Sequence, residues 1–477
     1  MKIRCGLLLV IGVLCLRCEG GAQGDRPNLL LISVDTLRAD HLGCYGYARD
    51  TSPTVDALAA EGVVFENAFS SSPKTTPSHM SIMTGLYPRA HNVYMWKRNG
   101  SGPYAGKSLS EKVPTLAEIL RQHGYATAAF TGGANVAGKI GFGRGFEIYD
   151  EESDTEGACA WIRQNGGKRF FLFYHTYYTH DPSLPPSPYD TRYDPDYAGG
   201  IVPGPTLLRD LGIKEGEPWR EVWDELSERF WKTVDVRNPR DIRHLNALYD
   251  GAIAYVDRDF IAALIAALRT AGVLDQTLIV FTSDHGEEFL EHGRLRHDSL
   301  YREVTHVPLI LRLPGVLPAG KRIGGLARSI DILPTVLDLL NLPLPAPVQG
   351  ISLIPAIRSG RDPGLAVYAD FNDFAPPFVE SVRTGEWFYL MDQRDYLTRE
   401  GKKRTAPGFN GLFDSRRDPG EIADLAVSRP EEAIRLQTHL RSLRIESSRL
   451  HSERAAEQKV TTMDQENLNR LKALGYL

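Results

Sequence analysis

Two apolar runs along the chain end abruptly on an aspartate. Leu29 to Val34 (LLLISV) stops at Asp35, and Leu278 to Ser283 (LIVFTS) stops at Asp284. Unbroken apolar runs of this length are the pattern of strands buried on both faces, where no polar alternation is needed. Between them, segments of helical and strand character alternate. A helix is predicted from near Pro114 to Gly124, followed by a strand Tyr125 to Phe130, and later a strand Phe170 to Tyr174 that runs into His175. Asp250 to Arg269 places Ile253, Val256, Phe260, Ile261, Leu264, Ile265 and Leu268 at helical spacing and ends at Gly272. Helices alternating with buried strands predict an α/β three-layer sandwich with a mostly parallel central sheet.

The pattern changes in three places. Residues 183–245 are rich in Pro, Gly, Tyr and charge, and read as a long excursion over one face that shapes the substrate pocket. From about residue 361, short strand-like pieces (LAVYADF, FVESVRTG, WFYLMD, GLFDS) precede a charged helix after Pro430. They predict a smaller C-terminal α+β subdomain. The expected organisation is therefore a leader over 1–22, a main domain over 26–360, and a C-terminal subdomain with a terminal helix over 361–477.

The leader reads as a secretory signal: a basic Met1–Arg4, the apolar run Gly6 to Leu16, and small residues at Gly20, Gly21 and Ala22. It is too short to span a bilayer comfortably, so no transmembrane span is expected in the mature chain. The mature protein is expected to be exported, periplasmic or extracellular, with lipid anchoring through Cys15 or Cys18 as the variant. Three of the five cysteines lie in this segment. Only Cys44 and Cys159 would remain, which allows at most one disulfide and no cysteine metal cluster.

Composition narrows the function. With 42% apolar and 24% charged residues and a net charge of -5, the chain is an ordinary globular protein. It carries no basic stripe or zinc-finger spacing, which excludes nucleic acid as the expected partner.

The candidate chemistry lies at the strand ends, because ligands of open parallel sheets collect beyond the carboxyl ends of the strands. Asp35 and Asp284 fall there, and His285-Gly286-Glu287 follows the second. Carboxylates and a neutral imidazole suit a divalent cation. The stretch SPKTTPSHMSIMTG, residues 72–85, predicts a helix with Pro77 in its first turn and Gly85 at its end. Thr75 would sit just before that helix, where backbone N–H groups and the helix dipole favour an anion. A threonine hydroxyl is a poor nucleophile alone, but a bound cation lowers its pKa.

Seven segments, RPNLLLISVDTLRADHLGCYGY, TTPSHMSIMTGLYPRAH, FFLFYHTYYTHDP, YDGAIAYVDRD, FTSDHGEEFLEHGRLRHDSLYREVTHVPLIL, IDILPTVLDLL and GLFDSRRDPGEIADLA, resemble in order the landmarks of the sulfatase family, within the alkaline-phosphatase-like superfamily. The resemblance covers nearly the whole mature chain and makes the main domain a sulfatase-like catalytic domain. It implies a metal held by strand-end carboxylates, a nucleophile at a helix head, and histidine or lysine side chains on the anion. Asp35 matches the first aspartate ligand, with Thr36 where the common pattern has a second aspartate. Asp284 and His285 match the late ligand pair, and His180 matches the histidine of a P-H-x-P segment in which Thr179 replaces the first proline. His297 follows Asp284 by 13 positions, an interval shared with phosphoethanolamine transferases.

The departures concern the nucleophile. The family core C-x-P-x-R or S-x-P-x-R, whose first residue becomes formylglycine, here reads Thr75-Thr76-Pro77-Ser78-His79. Oxidised threonine would be a ketone and the arginine is missing, so no formylglycine is expected. A G-K-W-H segment is replaced by Thr131-Gly132-Gly133-Ala134. The expected site has Asp35, Thr75, Asp284 and His285 on one divalent metal ion, with zinc favoured and calcium the alternative. Thr75, His180 and His297 are the expected catalytic residues, and His79, His180 and His297 the expected substrate-binding ones. The reading is an exported hydrolase of sulfate or phosphate esters of a small molecule, glycan or lipid. Its alternatives are a phosphoethanolamine-type phosphotransferase and a catalytically silent relative that binds anionic glycans or lipids.

Overall fold

A computed structural model describes residues 26–94, 97–98, 104–152, 154–212, 223–345, 348–370, 379–392, 409–454 and 458–473. The leader lies outside them. Eight strands, β1 (Asn28–Val34), β2 (Val63–Phe69), β3 (Ala126–Phe130), β4 (Ile148–Asp150), β5 (Phe170–Thr176), β6 (Thr277–Thr282), β7 (Leu309–Arg312) and β8 (Lys321–Arg328), form one sheet. Their order is β8-β2-β7-β6-β1-β5-β3-β4. Every neighbouring pair is parallel except those of β7, which is antiparallel to β2 and to β6.

Alternation along β1 explains the unbroken apolar run. Leu29 and Leu31 enter a core with Met80, Ile82 and Val336 on one face. Leu30, Ile32 and Val34 enter a second core with Ile253, Leu264 and Leu268 on the other. Both faces are covered, so both sets must be apolar.

The helix expected to open at Asp250 instead opens at Pro239 and runs to Tyr255. Asn238 caps it by accepting from Arg240 N, and Pro239 occupies the first turn. Its first two turns are polar on most faces, which hid them from a periodicity reading. A π-helical stretch, Val256–Ile261, joins it to the helix Ala262–Thr270. Asp257 in that stretch accepts the backbone N–H groups of Thr54 and Val55, both at 2.9 Å. It thereby caps the helix Pro53–Ala60, whose own Ser52 makes no capping bond. The helix foreseen from Pro114 spans Leu116–Gln122 and starts with a capping box between Thr115 and Glu118.

The excursion after residue 183 contains helices Gly204–Asp210 and Trp223–Lys232, with a small core that includes Leu207, Leu226, Phe230 and Leu248. Near the C-terminus, β9 (Val367–Asp370), β10 (Val379–Arg383), β11 (Trp387–Asp392) and β12 (Phe409–Asp414) form an antiparallel sheet in chain order. The charged helix Pro430–Ser452 packs Leu436 and Leu440 against Tyr368, Val382 and Tyr389 of that sheet. The last helix, Gln465–Ala473, returns to the main sheet's side of the molecule, where Asn467 Oδ1 accepts Ala134 N–H at 3.0 Å. Cys44 and Cys159 are both free thiols. Among the described residues no helix is long and apolar enough to cross a membrane.

Candidate active site

β1, β5 and β6 are adjacent and parallel, so their carboxyl ends bring Asp35, His175 and Asp284 together. The helix Thr75–Thr84 enters this point head first after β2. Lys74 is its N-cap and Thr75 its first residue, one position further into the helix than expected. All ten residues are buried, and Gly85 closes the helix at φ +67°, its N–H bonded to Ser81 O at 2.9 Å.

Thr75 Oγ1 donates to Asp35 Oδ2 at 3.2 Å and lies 3.5 Å from His285 Nε2. His285 Nε2 is 3.3 Å from Asp284 Oδ2. Ligand atoms of Asp35, Asp284 and His285 all lie within 4.8 Å of one another, and the three residues are buried. Nδ1 of His285 pairs with Gly286 O at 3.0 Å, which fixes the proton there and makes Nε2 the lone-pair nitrogen. Asp35 Oδ1, Asp284 Oδ2 and Thr36 Oγ1 are buried with no hydrogen-bond partner among the described residues.

These groups fit a divalent cation. Burial pushes the Asp35 carboxyl up to about 8 despite its bonds to Asp284 and Thr75. Burial and the neighbouring Asp35 charge push Asp284 well above the carboxylate range. Burial, with His297 nearby, holds His285 well below the usual imidazole value. Two buried carboxylates resist ionising side by side unless a positive charge sits between them, and a neutral imidazole is the form that coordinates.

The remaining expected residues divide into two layers. His180 and His297 face each other with ring centroids 5.2 Å apart, and His297 lies 4.5 Å from His285 by the same measure. His180 Nδ1 pairs with Asp181 O at 2.8 Å, and His297 Nδ1 lies 3.4 Å from both oxygens of Glu287. Burial holds both imidazoles well below their usual values, helped by the positive charge of Lys74. His79 is elsewhere. Expected in the anion pocket, it lies under the site with Nδ1 on Thr75 O at 3.0 Å and Nε2 on Ser33 Oγ at 2.9 Å. Both ring nitrogens are engaged in holding the helix head, a role a helix residue four positions on can take as readily as an outward one.

Sequence reasoning missed four contributors. Ser33, the only hydroxyl in its apolar run, was readable as an anomaly. His175, which the strand after Phe170 runs into, places Nε2 3.5 Å from Asp35 Oδ2 and takes Gly132 N–H on Nδ1 at 3.4 Å. Lys74 stood next to Thr75 as a cation at a helix start. Tyr177 gave no signal beyond its aromatic neighbours, yet its ring packs between His175 and His180.

A family model described as Sulfatase matches residues 27–342, and one described as N-sulphoglucosamine sulphohydrolase, C-terminal, matches residues 290–447. Arylsulfatase K of Bos taurus is 24% identical over 462 residues, spanning 88% of this chain and 82% of that protein. A solved structure of a protein in complex with its substrate D-glucosamine-2-N,6-O-disulfate matches with a TM-score of 0.66 at 19% identity, covering 90% of this chain and 98% of that one. The phosphonate monoester hydrolase of Agrobacterium radiobacter matches with a TM-score of 0.64 at 23% identity, covering 88% of this chain and 96% of that one.

Proposed function

The chain belongs to the sulfatase family, a class of sulfuric and phosphoric ester hydrolases, and from that premise we propose that it is an exported, metal-dependent hydrolase whose nucleophile is Thr75. The observation that carries this reading is the Thr75 hydroxyl at a buried helix head, 3.2 Å from Asp35 and 3.5 Å from His285, where the family's cysteine or serine would stand.

Asp35, Asp284 and His285, with Thr75 beside them, would hold the cation, which when bound supplies Lewis-acid stabilisation of charge on the transferring group. One nitrogen among oxygens suits zinc, whereas calcium would call on more oxygens, of which Thr36 Oγ1 is one. The chain's own residues do the rest. Thr75 Oγ1 forms a bond to the phosphorus or sulfur as the ester oxygen leaves, and its proton passes toward Asp35 Oδ2, which already accepts its hydrogen bond. The departing oxygen takes a proton from His180 or His297. Burial keeps both imidazoles neutral alone, and an incoming anion raises them by placing negative charge beside them. Water then cleaves the Thr75 ester and restores the hydroxyl.

The substrate class is a sulfate or phosphate ester of a sugar, lipid or small molecule. A glucosamine disulfate in one fold relative and a phosphonate monoester hydrolase among the others define the panel to try. Matched aryl sulfate, phosphate monoester, phosphate diester and phosphonate monoester substrates are offered to purified mature protein, with metal content measured on the same sample. Turnover of at least one, with about one metal per chain and a loss of roughly 10³-fold or more in Thr75→Ala, is expected. Full activity in Thr75→Ala removes the nucleophile assignment.

A further inference from the structure

Asn135 is fully buried, and neither its Oδ1 nor its Nδ2 has a hydrogen-bond partner among the described residues. A carboxamide in that state is destabilising unless something else fills it. Its backbone, by contrast, is held from two sides. Thr76, the neighbour of the nucleophile, donates its hydroxyl to Asn135 O at 2.7 Å. Tyr177 meets the same turn: its hydroxyl donates to Gly133 O at 3.1 Å and lies against the Asn135 backbone, and its ring packs between His175 and His180.

The turn that delivers Asn135 is strained. Gly133 has φ +61° and Ala134 φ +56°, the latter a left-handed conformation unfavourable for an alanine. Asn467 of the last helix holds that strained residue by accepting its N–H. Three elements thus fix a turn whose one polar side chain is left unfilled, next to Thr76, the neighbour of Thr75, and to Tyr177, whose ring packs on His180. This is also the segment where Thr131-Gly132-Gly133-Ala134 stands in place of the family's G-K-W-H.

We infer that Asn135 is a substrate-binding residue, its Nδ2–H donating to a non-bridging oxygen of the phosphate or sulfate group. The inference rests on the ester-hydrolase reading and adds an amide donor to the two histidines of that reading. A neutral amide stabilises charge on the transferring group without changing the site's protonation, as donors of an oxyanion hole do.

Asn135→Ala and Asn135→Asp are compared with the parent in metal-loaded form, using the best substrate of the panel for turnover, calorimetry with inorganic phosphate and sulfate for binding, and thermal melting for stability. Asn135→Ala is expected to lose about 10²–10³-fold in kcat/KM, to weaken binding of the better anion about tenfold or more, and to melt no lower than the parent, because an unfilled amide has been removed. Asn135→Asp is expected to lose more, since a carboxylate repels the anion. Turnover and anion binding within about threefold of the parent in Asn135→Ala overturn the assignment, as does a lowered melting temperature with unchanged activity per folded molecule. If the parent turns over none of the esters, the hydrolase reading fails on its own. The anion titration still decides the role of Asn135, and a parent that binds neither anion counts against it.

Discussion

Thr75 Oγ1 donates to Asp35 Oδ2 at 3.2 Å, although the two residues are 40 positions apart and leave the sheet from different strands. The contact exists because β1 ends at Val34 and the helix beginning at Thr75 follows β2, which aims its N-terminus at the carboxyl end of β1. An acceptor carboxylate and a hydroxyl at a helix head are what the proposed attack on an anionic ester requires.

Support beneath Asp35 should matter to the metal. His175 takes Gly132 N–H on Nδ1, which puts the proton on Nε2 and points it at Asp35 Oδ2, 3.5 Å away. His175→Gln is expected to weaken metal affinity about 10–100-fold, the usual cost of losing an outer hydrogen bond to a ligand. Competition titrations with a chromogenic zinc chelator on parent and variant measure this directly. Equal affinities would reduce His175 to packing.

Metal and stability should be linked through Asp284. Burial and the Asp35 charge disfavour its ionised form, and a cation held by both carboxylates reverses that. Zinc at about 100 times its Kd is expected to stabilise the chelator-treated protein by about 2.7 kcal/mol, and to restore activity. In Asp284→Asn both effects should vanish while the metal-free protein melts no lower than the metal-free parent. Melting curves across a zinc titration test this. An unchanged zinc response in the variant would remove Asp284 from the metal site.

Away from the site, Asp257 gives stability a pH dependence of known sign. Burial raises its carboxyl from 3.8 to about 6, against the pull of the Thr54 and Val55 N–H groups. The folded state therefore holds the proton more tightly than the unfolded chain. Below about pH 4 both states are protonated and nothing is lost; between about 4 and 6 stability falls as pH rises, by about 3 kcal/mol in all. Urea unfolding of the parent and of Asp257→Asn from pH 4 to 7 should show the parent losing stability relative to the variant across that window. Parallel curves would contradict the assignment.

Much of this arrangement was legible in the sequence, for reasons that differ by residue. Asp35, Asp284 and His285 could be placed because a strand buried on both faces is an unbroken apolar run, and the first polar residue after it marks the carboxyl end. The Thr75–Thr84 helix could be placed because Pro77 and Gly85 punctuate both ends. The orientation of His79 could not, since helical spacing leaves open whether a buried residue faces the ligand or the floor. The opening of the long helix at Pro239 was hidden by its polar first turns, and its π-helical stretch by the near match of its spacing to an ordinary helix. The proposed role of Asn135 and the placement of Tyr177 were invisible because both depend on a turn, with positive φ at Gly133 and Ala134, that is held by contacts with distant elements, Thr76 and Asn467 among them.

Trapping the ester on Thr75 would identify the nucleophile itself. Metal-loaded protein is mixed with its best substrate, quenched in acid within a turnover, digested, and examined by tandem mass spectrometry for a phosphoryl or sulfuryl group. The group is expected on the peptide containing Thr75, localised to that residue, and absent from Thr75→Ala. An active parent with no adduct at early times, or an adduct on another side chain, would contradict the nucleophile assignment.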